Sequence, residues 1–332
     1  MPFFIYDLKN DFSSRLFVLA NSFRERGKIM IKKTVLAVFC FSLFLAPAYQ
    51  AAQYQEKHLD VPYVPTKYPV VDEMLRISGI TKDDLLYDLG CGDGRIVIGA
   101  AQKYGAKGIG IDIDPDRIAE SKANAVKAKV EDKVQFIQQD LFLADFHQAS
   151  VMTLYLLTSV NLKLRPKLLR ELRPGTRLVS HNFGMDTWKP DQSTVVMVDD
   201  VSHDVYLWIV PANVTGSWKW TMPSGKGAVN CEMVLEQHFQ WPAGTVAFNG
   251  VSATVKEMAL KGSQFRITLE RAVDGKLVPM TLEGNVNGHN ITGTIKAKVG
   301  GKDEQWEWKA TRNPTTEKPL DVEPGKGSLF IN

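Results

Sequence analysis

Between residues 54 and 212 the chain alternates short apolar or β-branched runs with stretches whose apolar residues recur at helical spacing. Leu85-Leu86-Tyr87-Asp88 reads as a buried strand and Arg95–Tyr104 as a helix. Gly108–Ile113 predicts a second strand, and Pro115–Lys129, rich in Ala and Lys, a second helix. Val134–Gln138 and Ser150–Leu156 follow as strands, Leu164–Leu172 as a helix and Thr176–His181 as a fifth strand. Strands joined by helices of about 10–15 residues imply a parallel α/β sheet with helices on both faces. Thr194–Val198 and Asp204–Ile209 have no helix between them and predict an antiparallel pair at the sheet edge.

From Val214 to Arg312 the helical period gives way to short alternating runs separated by Gly, Asn or Asp. Asp274-Gly275 and Asn287-Gly288 are hairpin signals. This texture predicts a small all-β barrel or sandwich of about 100 residues. A length of 332 residues suits two domains. The expected boundaries are 54–212 for the α/β domain and 213–312 for the β-rich one, with 313–332 as a flexible, proline-containing tail.

Lys32-Lys33, the apolar run Thr34–Leu45 and Ala46-Pro47-Ala48 together fit a secretory signal peptide, with Met30 as a start of ordinary spacing. The run is shorter than the roughly 18–20 apolar residues of a stable membrane span. Residues 1–48 are therefore expected to be an N-terminal extension and signal peptide or anchor. The mature chain would be exported, periplasmic or membrane-associated.

Composition narrows the classes. Hydrophobic residues at 44% and charged residues at 23% exclude a disordered or collagen-like chain. A net charge of +3 gives no basic field for nucleic acid. Three cysteines and six histidines, in no metal-ligand spacing, argue against a disulfide framework and a metal site.

The most informative segment is Tyr87-Asp88-Leu89-Gly90-Cys91-Gly92-Asp93-Gly94-Arg95, which leaves a strand and opens a helix. A dinucleotide fingerprint needs glycine where Arg95 stands. Asp88 and Asp93 would also repel a pyrophosphate. S-adenosyl-L-methionine has no phosphate and carries an ammonium and a sulfonium, so acidic residues around a glycine turn suit it. Asp112, at the end of the second strand, is placed for ribose hydroxyls, in preference to Asp114. Asp140 ends the third strand, where it would accept from the adenine amino group while Leu141 or Phe142 packs on the ring.

Through this glycine motif and the two acidic strand ends, residues 60–210 resemble the class I, seven-stranded SAM-dependent methyltransferases. The resemblance implies a Rossmann-like sheet of order 3-2-1-4-5-7-6. It assigns Asp88, Gly90, Gly92 and Gly94 to the methionine moiety, Asp112 to ribose and Asp140 to adenine. Cys91, Ile113 and Leu141 complete the candidate cofactor contacts, with Thr66 in the capping segment.

Val64-Pro65-Thr66, GIDIDP, TLYLL with Asn161, and LRPGTRLVSHNF are similar to the protein-lysine methyltransferases that include the mitochondrial ATP synthase c-subunit enzyme. Lys67 and Thr158 stand where that group commonly has proline. Thr153–Leu157 also lacks the prolines of the N/D-P-P-Y motif of exocyclic amine and amide methylation. The resemblance implies in-line methyl transfer to a protein lysine amine, with Tyr155 lining the acceptor channel and Asn161 holding the amine. His181 would take a proton or be structural.

The alternatives are a small-molecule methyltransferase, and a non-catalytic envelope binding protein using a Trp218, Trp220, Trp241, Trp306 and Trp308 pocket. A protein or small-molecule acceptor is the expected partner, with possible membrane association through the N-terminal run. An exported chain would also lie apart from the cytoplasm, where this cofactor is made.

Overall fold

The protein is described by a computed structural model over residues 63–224 and 227–320. The leader or anchor expected within residues 1–48, and residues 321–332, lie outside the described residues. Among the described residues no helix is long and apolar enough to cross a membrane.

Helix α1 (Tyr68–Ser78) has Pro in its first turn and ends at Gly79, whose φ of 60° provides a left-handed cap. Its buried residues Val70, Val71, Met74 and Leu75 fall on one face. Then come β1 (Leu85–Leu89), α2 (Arg95–Tyr104), β2 (Lys107–Asp112), α3 (Pro115–Ala128), β3 (Val134–Gln138), β4 (Val151–Leu154), α4 (Thr158–Glu171) and β5 (Arg177–His181). The antiparallel pair β6 (Gln192–Val198) and β7 (Val201–Ile209) follows. These strands form one seven-stranded sheet of order 3-2-1-4-5-7-6, the order the resemblance implied. The first five pair in parallel, and β7 runs antiparallel to β5.

One element differs from expectation. Helix α4 starts at Thr158, not Leu164, and carries Pro166 within it. The helix tolerates the amide that Pro166 cannot supply because Leu164 and Leu168 are fully buried against the sheet.

Helices α1, α2 and α3 pack on one face of the sheet, over Leu86, Val151 and Val179. The opposite face is covered differently. Among the described residues α4 is the one helix in that core, and residues 182–191, between β5 and β6, form none. Trp188, Trp208 and Phe239 fill the gap over β5 and β7. Large side chains buried in this way contribute about 1.5–3 kcal/mol each.

The remaining strands are β8 (Gly216–Ser224), β9 (Gly227–His238), β10 (Trp241–Phe248), β11 (Val251–Ser252), β12 (Thr254–Lys261), β13 (Gln264–Val273), β14 (Lys276–Asn287), β15 (Asn290–Val299) and β16 (Lys302–Arg312). They make a single antiparallel sheet of nine strands, with β11 and β12 at its ends. The sheet curls into a nearly closed barrel, its end strands β11 and β12 joined through Ala253, whose N–H donates to Val246 O of β10 at 2.8 Å. Inward positions alternate along each strand and fill the interior with Trp218, Trp308, Phe265 and Phe248. Trp218, Trp220 and Trp308 are thus core, whereas Trp241 is 41% exposed, so the five tryptophans do not converge on a pocket.

Two details correct the sequence reading. Asp274 and Gly275 form the expected left-handed turn, with φ of 46° and 78°. The next hairpin turns one residue later than expected, on Gly288-His289, because Asn287 still pairs with Asn290. Residues 313–320, read as loose, are tied to the barrel. Ser217 N–H donates to Thr316 Oγ1 at 2.8 Å, buried Arg312 pairs with Glu317 at 2.9 Å, and Leu320 is buried.

Candidate active site

The turn from β1 to α2 lies at the carboxyl ends of the parallel strands, the crevice where open α/β sheets take ligands. Gly90, Gly92 and Gly94 all have positive φ, at 77°, 53° and 80°. Space demands glycine as well. A Cβ on Gly94 would lie 2.7 Å from the Phe136 ring, and one on Gly92 would lie 2.5 Å from the Tyr63 ring. The Gly90 and Cys91 N–H groups both donate to Ile111 O, at 2.8 and 3.0 Å. Gly92 N–H donates to Asp112 Oδ2 and Asp114 N–H to Asp112 Oδ1, each at 2.9 Å. Asp112 therefore ties the glycine loop to the end of β2. Asp114 instead caps α3, accepting from Asp116 N–H at 2.8 Å.

The acids around the loop are not equivalent. Asp88 is fully buried, accepts from Thr153 Oγ1 at 2.7 Å, and is pushed up to about 7 by burial, with Asp112 and Asp93 adding to the rise. Asp93, expected to repel a pyrophosphate, is paired. Arg95 donates to it from Nε and Nη2, at 2.9 and 2.5 Å. Burial works to raise the Asp93 pKa, but these bonds outweigh it and hold the group below the usual range. Arg95 also donates to Thr66 O at 2.8 Å and lies over the Tyr68 ring. The remaining acids of the crevice are Asp88, which keeps its proton up to about pH 7, and Asp112 and Asp140.

Asp140 accepts from Phe142 N–H at 2.8 Å through Oδ1. Leu141 and Phe142 are partly buried against the core on the α4 face, while Ile113 is 50% and Leu143 75% exposed. Cys91 is buried with its sulfur beside Gly110, and burial drives its thiol pKa up, so the thiol is unreactive.

The acceptor candidates split into two groups. Tyr155, just beyond β4, stacks on His181 with ring centroids 3.9 Å apart and on Phe183 at 5.9 Å. Buried Thr66 meets His181 Nδ1 through Oγ1 at 3.2 Å, and His181 Nε2 meets His203 Nδ1 at 2.9 Å. Burial, reinforced by His203, lowers the His181 pKa to about 4, so the imidazole is neutral at physiological pH. Asn161 lies elsewhere. It is fully buried in the first turn of α4, where its Nδ2 donates to Phe183 O at 3.1 Å, and its Oδ1 has no partner among the described residues. It braces the segment that carries Phe183. His203 and Phe183 were not anticipated; only the register His181↔Val205 brings β7 beside β5.

A family model described as the ANTKMT methyltransferase domain matches residues 88–192. The chain is 44% identical over 151 residues to a protein-lysine N-methyltransferase of Saccharolobus islandicus (strain REY15A), covering 45% of this chain and 94% of that protein. The chain belongs to the ANTKMT methyltransferase family. The human lysine N-methyltransferase of the ATP synthase c-subunit is 28% identical over 173 residues, covering 52% of this chain and 70% of its own. A crystal structure described as an RNA methyltransferase from Salinibacter ruber with S-adenosyl-L-homocysteine shares 52% identity, covers 46% of this chain and 96% of its own, and has a TM-score of 0.43.

The protein is thus an S-adenosyl-L-methionine-dependent methyltransferase, as the sequence implied. The crevice of the methyltransferase fits that cofactor. Asp88, Asp112 and Asp140 stand where its methionine, ribose and adenine parts are expected, and the exposed apolar faces of Ile113 and Leu143 lie beside Asp112 and Asp140. A pyrophosphate would meet the same carboxylates at a cost of several kcal/mol, of the order expected for like charges near a protein surface.

Proposed function

We propose that the enzyme methylates a protein lysine at its side-chain amine. The observation that carries this reading is the aromatic wall of Tyr155, neutral His181 and Phe183 at the carboxyl end of the sheet. The names of the similar proteins support it. We assign the reaction to residues 54–212 and treat 213–312 as a separate β-rich domain.

When bound, the cofactor supplies a methyl group made electrophilic by its sulfonium. Only a neutral amine has the lone pair to attack that carbon in line. The chain's task is to favour that neutral form and to orient it. An apolar aromatic wall disfavours the ammonium by desolvation, while an uncharged His181 adds no competing cation. Thr66, His181 and His203 form a hydrogen-bonded line to half-buried His203, a route by which the amine's proton reaches solvent. Asp88, Asp112 and the glycine loop would hold the cofactor, so positioning carries most of the acceleration.

Tritiated S-adenosyl-L-methionine added to a whole-cell extract with the purified enzyme should label protein, and hydrolysis should release methyl-lysine. Label confined to RNA or to small molecules would overturn the reading. Tyr155→Ala should lower transfer by about 10–100-fold, the scale of a misplaced reactant, with cofactor affinity retained. Unchanged turnover would remove Tyr155 from the acceptor channel.

A further inference from the structure

The face of the seven-stranded sheet that carries α4 has an unusual filler: the turn between β9 and β10 of the barrel. Phe239, at that turn, is 2% exposed and stacks on Trp188 with centroids 5.7 Å apart and planes at 16°. The Arg165 guanidinium of α4 lies over the Phe239 ring, 5.2 Å from its centroid. Arg165 also donates to Met185 O at 2.9 Å, and Gln240 Nε2 donates to Lys189 O at 2.8 Å. Gln237 fixes the turn itself, donating from Nε2 to Ala212 O and Phe239 O.

The contacts of Phe239, Arg165 and Gln240 converge on residues 183–189, the segment that begins with Phe183. Its near end is held by Asn161 and by Ser180 Oγ, which donates to Phe183 O at 2.6 Å. Its far end has no helix beneath it among the described residues and rests on the barrel turn. The segment that supplies one side of the acceptor wall is therefore clamped between α4 and the second sheet.

We propose that the β9–β10 turn is a positioning element for methyl transfer, with Phe239 as its positioning residue and Gln240 in support. This rests on the reading of Tyr155, His181 and Phe183 as the acceptor wall. It gives the barrel a part in the reaction that needs no ligand of its own. Phe239 acts through Trp188, Arg165 and the 183–189 segment and does not touch the reacting atoms.

The test uses the full chain and two cofactor-site probes, and needs no acceptor. S-adenosyl-L-homocysteine fills the cofactor site without a methyl group. Sinefungin carries an amine where the methyl would be, so its affinity also senses the acceptor wall. Phe239→Ala should change sinefungin affinity by about tenfold while S-adenosyl-L-homocysteine affinity stays within about twofold. Gln240→Ala should shift the same ratio by about threefold, and decides the matter alone if Phe239→Ala does not fold. A merely structural role would move both affinities together or neither, and either result would overturn the proposal. Tyr155→Ala separates the two layers of the argument. If it shifts the ratio and the turn variants do not, the turn proposal fails. If Tyr155→Ala leaves the ratio unchanged, the acceptor-wall reading itself fails.

Discussion

Asp88→Asn is expected to bind S-adenosyl-L-methionine at least about tenfold more weakly and yet, as free protein at pH 8, to unfold at a higher temperature. The folded protein keeps the Asp88 proton up to about pH 7, against 3.8 for an ordinary Asp, because the carboxyl is buried. Between those values the unfolded chain has released its proton and the folded one has not, so stability falls as pH rises through the window. At about 1.4 kcal/mol per pKa unit, the full penalty above pH 7 is about 4 kcal/mol. Asparagine carries no charge to bury, and its Oδ1 can keep the Thr153 hydrogen bond. Thermal unfolding at pH 8 should therefore show the gain, and unfolding at pH 3, below both values, should show none. A variant destabilised at pH 8, or one that binds the cofactor as well as before, would contradict the role given to this carboxylate.

Asp112→Ala should be the more damaging change for binding, with affinity reduced by about a hundredfold or more. Its carboxylate does two jobs. It accepts from Gly92 N–H and Asp114 N–H, fixing a loop whose glycines sit at positive φ, and it stands where ribose hydroxyls are expected. Leaving partly buried N–H groups without an acceptor costs about 1–3 kcal/mol each, before any ribose contact is counted. Asp112→Asn should fall between, since one acceptor oxygen remains. Isothermal titration calorimetry with S-adenosyl-L-methionine checks the series, and an affinity for Asp112→Ala within about twofold of the parent would contradict it.

The α/β elements, the glycine loop and its acidic strand ends were legible in the sequence because each is local, and the sheet order followed from the resemblance those motifs carry. A run of β-branched residues, a glycine that needs positive φ and a carboxylate ending a strand all announce themselves within a few positions. What was not legible depends mostly on contacts distant along the chain. Asp93 is the exception: its bidentate pairing with Arg95 was not anticipated, although the two are close in sequence. The start of α4 was placed late because Pro166 and the polar first turn obscure its apolar stripe, which only burial against the sheet completes.

His203 carries no signal of its own within β7, and becomes a partner of His181 only through the antiparallel register. Phe239 is a single aromatic residue at a hairpin turn, a position where sequence predicts exposure. The lack of a helix between β5 and β6 makes it core. The five tryptophans show the converse. Alternation along strands suggested a lined pocket, but closure of the sheet turned three of them into packing.

The central claim is that buried and strand-end carboxylates make this crevice a site for a cationic methyl donor. Calorimetric titration of the purified protein with S-adenosyl-L-methionine at pH 6, in two buffers of different ionisation enthalpy, tests it most directly. Asp88 holds its proton at that pH in the free protein, and a bound cation favours the carboxylate. Binding should therefore release close to one proton and tighten as pH rises through 7, and a nicotinamide dinucleotide should give no heat of binding. No binding of the methyl donor, or binding with no proton released and no dependence on pH, would contradict the account.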